Sequence, residues 1–261
     1  MISFSQLNEM QILVFGLILL RMIAFVVSSA VFSAAQIPVP LKVLMAVVFT
    51  LVIYSSVASN EVIVRMKESQ DQLLLLSARE VLIGISLGFV TRLFFFAVGM
   101  AGELVSISMG LGQAQMFNPM MGSMGNAMEQ FYMVIGTLVF LGFNGHHFMI
   151  QGVVQSYQTV PLAELTLVPQ TFAEIVYKIQ EFFVIAIKIA APVLISMIII
   201  QFGMALLSRV VPQINVIVTS ASLTVVLGFV ILFICLPLLV SQMGGMMSLS
   251  LDEFFKFLKA I

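Results

Sequence analysis

Between Glu103 and Glu129 the chain carries no charge, yet it is unfit to cross a membrane as a helix. Gly110, Gly112, Gly122, Gly125 and Pro119 interrupt it. Gln113, Gln115, Asn118 and Asn126 are costly against lipid, where no water can satisfy a polar group. Met109, Met116, Met120, Met121, Met124 and Met128 keep it apolar and pliable. Strongly hydrophobic segments flank it on both sides. Backbone this broken is tolerated at membrane depth where it is buried in protein or lines a cavity. The stretch therefore reads as a re-entrant loop that obstructs a path. Residues 103–129 are taken as a Met/Gly-rich plug-loop region within a single membrane domain, 1–261.

The rest of the chain fixes the class. Of its 261 residues, 61% are hydrophobic and 9% charged, where a soluble domain carries roughly 25% charged residues. This is an all-α membrane protein with about six hydrophobic helices. A net charge of −1 gives no reason to expect nucleic acid as a partner. The single cysteine, Cys235, lies in an apolar run, so neither a disulfide framework nor a cysteine metal site is available. The first ten residues hold Glu9 and no Lys or Arg. A secretory signal needs a positive start, so the first span is expected to be retained.

In chain order the expected spans are 12–32, 43–57, a third helix over 73–102, 130–143, a fifth that starts near Thr171 and reaches 207, and 216–240. Arg21 sits inside the first. A charge there costs on the order of 2.5–3.5 kcal/mol on insertion scales. It is expected to face protein or water, with a snorkelling arginine as the alternative. Pro38 and Pro40 end the first helix, and Pro40 can open the second. Residues 60–72 are the most charged part and read as a solvated turn or loop. Gly84 and Gly88 make a small-residue face suited to close helix packing. Asn144-Gly-His-His147 closes or interrupts the fourth span, and adjacent histidines point in different directions, which suits a wet interfacial turn better than an ion site. Gln151 to Gln170 is the longest polar region. Thr171-x-x-Glu174 is a capping box for the fifth helix, with Pro192 as an expected kink. Arg209, Pro212, Gln213 and Asn215 form a polar hairpin; its side chains either satisfy one another and cap helix ends, or contact a partner subunit. Ser250-x-x-Glu253 is a second capping box, read as the start of a C-terminal amphipathic helix for lipid or a docking partner. Positive charge in the short segments places both termini in the cytoplasm.

Three function classes are to be weighed for such a chain. A gate needs pliant apolar side chains that exclude ions by dewetting, and glycines that let the loop around Met116–Gly122 move aside. Glu103 and Glu129 bracket that loop, as anchors at a wetter boundary or as solvated helix ends. A small-solute or copper transporter is the alternative, because Met116, Met120, Met124 and Met128 recur every four residues and thioethers suit Cu(I). Pro119 and the glycines argue against the helix such a stripe requires. An enzyme is not indicated: no catalytic residue, zinc motif or cofactor site is evident, since Met121-Gly-Ser-Met-Gly125 lacks the first glycine of a nucleophile elbow.

Several of these motifs, in order, resemble the flagellar biosynthetic protein FliR family over nearly the whole chain. They are Met116-Phe-Asn-Pro119 with Ser123, Gly145-His146, the run from Pro192 through Gly203 and Arg209, and Pro212-Gln-Ile-Asn215. The resemblance implies a subunit of the flagellar type III secretion system in the bacterial inner membrane. It implies assembly with FliP and FliQ into an export gate, next to FlhB, that passes unfolded flagellar proteins; related proteins serve virulence injectisomes. It implies helical hairpins arranged in a spiral, largely above the bilayer plane. It also implies that the loop plugs the closed channel. The resemblance assigns this role to Gly110, Gly112, Phe117, Asn118 and Pro119; Met120, Met121 and Gly122 join them by proximity only, and Met116 opens the resembling run.

Overall fold

The computed structural model describes residues 9–33, 37–58, 62–64, 72–111, 127–162, 170–210 and 216–260; the side chains of 170–179, 216–221 and 248–260 fall outside the description. The long helices are α1 (Glu9–Ser28), α2 (Val39–Val57), α3 (Leu73–Ser108), α4 (Ala127–Gly142), α5 (Gly145–Thr159), α6 (Gln170–Val210) and α7 (Val216–Ala260). No strand occurs among the described residues. Five helices are long and apolar enough to cross a membrane, and α4 with α5, bent by 66°, make a sixth if they count as one span.

Local chemistry explains most of the boundaries. Pro38 caps α2 and Pro40 sits in its first turn, where a missing N–H costs nothing. Asn144 has a left-handed φ of 55° and its N–H donates to Leu141 O at 3.0 Å, so it ends α4 and turns the chain into α5. Two expectations about extent are corrected. The polar region beginning at Gln151 is helical as far as Thr159, because Met149, Val153, Ser156 and Tyr157 recur on one buried face while Gln151, Gln158 and Thr159 are exposed. The Ser250 capping box opens no separate helix. It lies inside α7, which runs unbroken past Pro237 and past Gly244-Gly245.

Helix length is the second departure. At a rise of 1.5 Å per residue, the 36, 41 and 45 residues of α3, α6 and α7 extend about 54, 62 and 68 Å. The hydrocarbon core of a bilayer is only about 30 Å thick. Each of these helices therefore reaches well beyond any membrane it crosses.

The chain divides into two compact units. The first holds α1, α2, the start of α3 up to Leu93, and α5. Its α1 and α2 pack side by side through Phe15 on Tyr54, and in the turn after α1 Phe32 lies on Phe49, ring centroids 5.9 and 6.1 Å apart. Lys42 Nζ donates to Ser33 O at 2.9 Å. The glycine face of α3 meets α1 backbone to backbone, as its spacing suggested. A Cβ on Gly84 would strike Arg21 O and lie 2.7 Å from Ala24 Cβ. One on Gly88 would strike Ser28 Oγ and lie 2.8 Å from Ser29 N.

The second unit holds α3 from Phe94, α4, α6 from Tyr177 and most of α7. Here α3 and α4 touch closely at Gly102, whose added Cβ would lie 2.8 Å from Glu129 Cα, and at Gly136, which faces Val98. Phe95 and Phe140 stack 5.4 Å apart in the same layer.

Candidate functional site

The described ends of the plug-loop region are built by a helix cap and a slot. Gly110 has φ 77°, a conformation that L side chains rarely adopt. Its N–H donates to Ile107 O at 3.0 Å, and Leu111 N–H donates to Ser106 O at 3.1 Å. Those two bonds are a Schellman cap, and they stop α3 at this point. One residue earlier, Met109 is fully buried, and a Cβ on Gly228 of α7 would lie 2.7 Å from its Cγ and Cε. Gly228 thus leaves room for the Met109 side chain. From α6, Gln201 Nε2 donates to Ser108 O at 2.9 Å, closing another open carbonyl in the last turn of α3. Gly110→Ala is expected to cost about 1–2 kcal/mol, the strain of a Cβ in a left-handed residue. Thermal loss of helix signal in detergent reads it, and an unchanged midpoint would contradict the cap.

The candidate residues divide accordingly. Gly110 ends α3. Gly112, Met116, Phe117, Asn118, Pro119, Met120, Met121 and Gly122 lie outside the described residues, as do Pro212, Gln213 and Asn215. Arg209 is exposed in the last turn of α6, where a cation suits the helix dipole. Glu103 is exposed on α3, which continues to Ser108 instead of ending at residue 102, so it stands on a helix wall and not at the loop itself. Glu129 lies in the first turn of α4, half-buried beside Gly99. His146 and His147 open α5 with ring centroids 4.2 Å apart. Among the described residues, no three His, Cys, Asp or Glu side chains gather as metal ligands.

A second polar site was only half visible beforehand. Arg21 is completely buried in the first unit. Its Nε donates to Glu80 Oε2 at 2.5 Å, its Nη1 to Ser156 Oγ at 3.1 Å, and its Nη2 to Val160 O at 3.1 Å. The guanidinium lies 4.1 Å over the Tyr157 ring, and Tyr157 Oη donates to Ile18 O at 3.3 Å. Arg21 therefore faces protein, and the snorkelling alternative falls away. Charge pairing, the bonds to Ser156 and Val160 and the aromatic face offset part of the cost of removing both ions from water, while Glu80 Oε1 stays buried with no hydrogen-bond partner among the described residues. Nothing in the sequence named Glu80 as the partner; a carboxylate inside the third expected helix, 73–102, was the one available signal.

The comparisons with known proteins bear on this arrangement as a whole. Residues 12–250 match the family described as bacterial export proteins, family 1. The chain belongs to that family, the FliR family. A flagellar biosynthetic protein FliR from Aquifex aeolicus is 30% identical over 90% of this chain and 88% of its own length. The Bacillus subtilis FliR is 24% identical over 95% of each chain. A Yop proteins translocation protein T from Yersinia pestis is 29% identical over 69% of this chain and 70% of its own. The family match runs from the first turn of α1 to the late part of α7, so it takes in Arg21, Glu80, the Gly110 cap and Gly228 together.

Proposed function

We propose that the chain is a subunit of the flagellar type III protein export gate in the bacterial inner membrane. It forms with FliP and FliQ a channel for unfolded flagellar proteins, with FlhB nearby and both termini in the cytoplasm. A loop over Gly110–Gly122 closes the resting channel. The observation that carries this reading is the export-family match over 12–250, with flagellar relatives matched over most of their length.

Physical support comes from the long helices. In α6 and α7 only 28% and 22% of the most apolar window is buried within the chain. Exposed Ile, Val, Leu and Phe side chains continue along helices about twice as long as the hydrocarbon is thick. Apolar surface beyond the bilayer needs protein to cover it, which suits a subunit of a larger assembly. The loop chemistry suits closure: methionine thioethers repack around varied contours, and an apolar constriction blocks ions without a fixed lock.

Deleting 116–122 tests the plug. The expected result is a raised resting ion leak through the assembled complex with secretion retained. A membrane as tight as wild type, with normal secretion, would show that the loop does not close the path.

A further inference from the structure

α6 carries one exposed stripe along its length. On a helix of 3.6 residues per turn, Val184, Lys188, Ile195, Ile199, Phe202 and Leu206 share a face. All six are exposed, Ile199 and Phe202 each to 66%. Lys188 is the single charge between Glu181 and Arg209 on this helix. It takes part in no ion pair or hydrogen bond among the described residues. Its own carbonyl also lacks its usual helical donor, because Pro192 supplies no N–H to the residue four positions before it.

A lipid environment fits this stripe poorly on three counts. An ammonium stands on an apolar face, on a residue whose carbonyl has lost its helical donor, and hydrocarbon supplies a partner to neither. From Val184 to Val210 the apolar face runs about 39 Å, more than the roughly 30 Å of hydrocarbon even at the usual tilt of about 20°. Pairing is also the rule for ionisable groups inside membrane-spanning segments. We propose that this stripe is a subunit interface, and that its occupant is an apolar helix of another export-gate chain that sets a carboxylate against Lys188 Nζ. The inference rests on the gate reading above and adds which face of the chain is covered and by what chemistry. The carboxylate pairs with the ammonium in a poorly hydrated contact, where charge-assisted bonds are strong and a missing partner is costly.

The test co-expresses the full chain with the partner chains of the proposed gate and measures the complex recovered. Lys188→Arg is expected to assemble like wild type. Lys188→Leu and Lys188→Glu are expected to lower recovery about tenfold or more, since each leaves the facing carboxylate unpaired. A photo-crosslinking residue at Ile195 is expected to give an adduct with another chain of the complex. Wild-type recovery of Lys188→Leu, or adducts at Ile195 only with lipid or with a second copy of this chain, overturns the inference while leaving the gate reading in place. Failure of the wild-type chain to co-purify with any partner overturns both.

Discussion

Arg21→Leu is expected to lower the stability of the isolated chain by about 3–5 kcal/mol, because it strands the Glu80 carboxylate where water cannot reach it. Both side chains of that pair are fully buried. Glu80→Leu should be as severe, since it leaves the guanidinium with only Ser156 Oγ, Val160 O and the Tyr157 face. Replacing both together is expected to recover most of the loss, because an apolar pair of similar volume is often no worse than a buried ion pair. Loss of helix signal on heating in detergent measures all three variants. Single variants that melt with wild type would mean that the pair contributes nothing.

Gly84→Ala is expected to be nearly as damaging, by a different route. The added methyl meets Arg21 O and Phe25 N of the α1 backbone, so a helix, and not just a side-chain tip, must move. Overpacking of this kind typically costs about 1–3 kcal/mol, and here the displaced residue is the one that holds the buried ion pair. Gly88→Ala meets Ser28 and the backbone N of Ser29 and should behave alike. Gly16→Ala is the control. Nothing lies within 4 Å of that position, and alanine gains helix propensity there of up to about 1 kcal/mol. A destabilised Gly16→Ala beside an unaffected Gly84→Ala would refute the close crossing of α1 and α3.

The same residues mark how far the sequence could be read. Hydrophobic runs announced the spans, and Pro40 and Asn144 the start of α2 and the end of α4, because those signals are local; the end of α1 was misplaced, since it stops at Ser28, ten residues before the Pro38 expected to end it. Gly84 and Gly88 announced close packing because small residues four apart share a helix face. Arg21 announced that it needed a partner, on desolvation grounds alone. Its partner could not be named, because pairing across 59 residues depends on how helices cross and not on any periodic pattern. The length of α3 was underestimated because Glu103 looked like a boundary, whereas an exposed carboxylate does not by itself end a helix. α5 was hidden by its glutamines, which occupy the outer face of an amphipathic helix. The Met109 slot at Gly228 was invisible for the same reason as Glu80: it joins two helices far apart in the chain.

The buried arginine has a consequence for biogenesis. Arg21 emerges from the ribosome long before its ligands, which follow 59, 135 and 139 residues later. At about 5–20 residues per second, the last of them arrives roughly 7–28 s after Arg21 itself. Its counter-ion Glu80 follows after 59 residues, roughly 3–12 s at the same rate, and until then the first helix carries a cation that costs on the order of 2.5–3.5 kcal/mol among acyl chains. The rest of its ligand shell, Ser156 Oγ and Val160 O, is complete only once α5 and the residues just after it have been made. The first helix to be synthesised is therefore among the last to reach its final place.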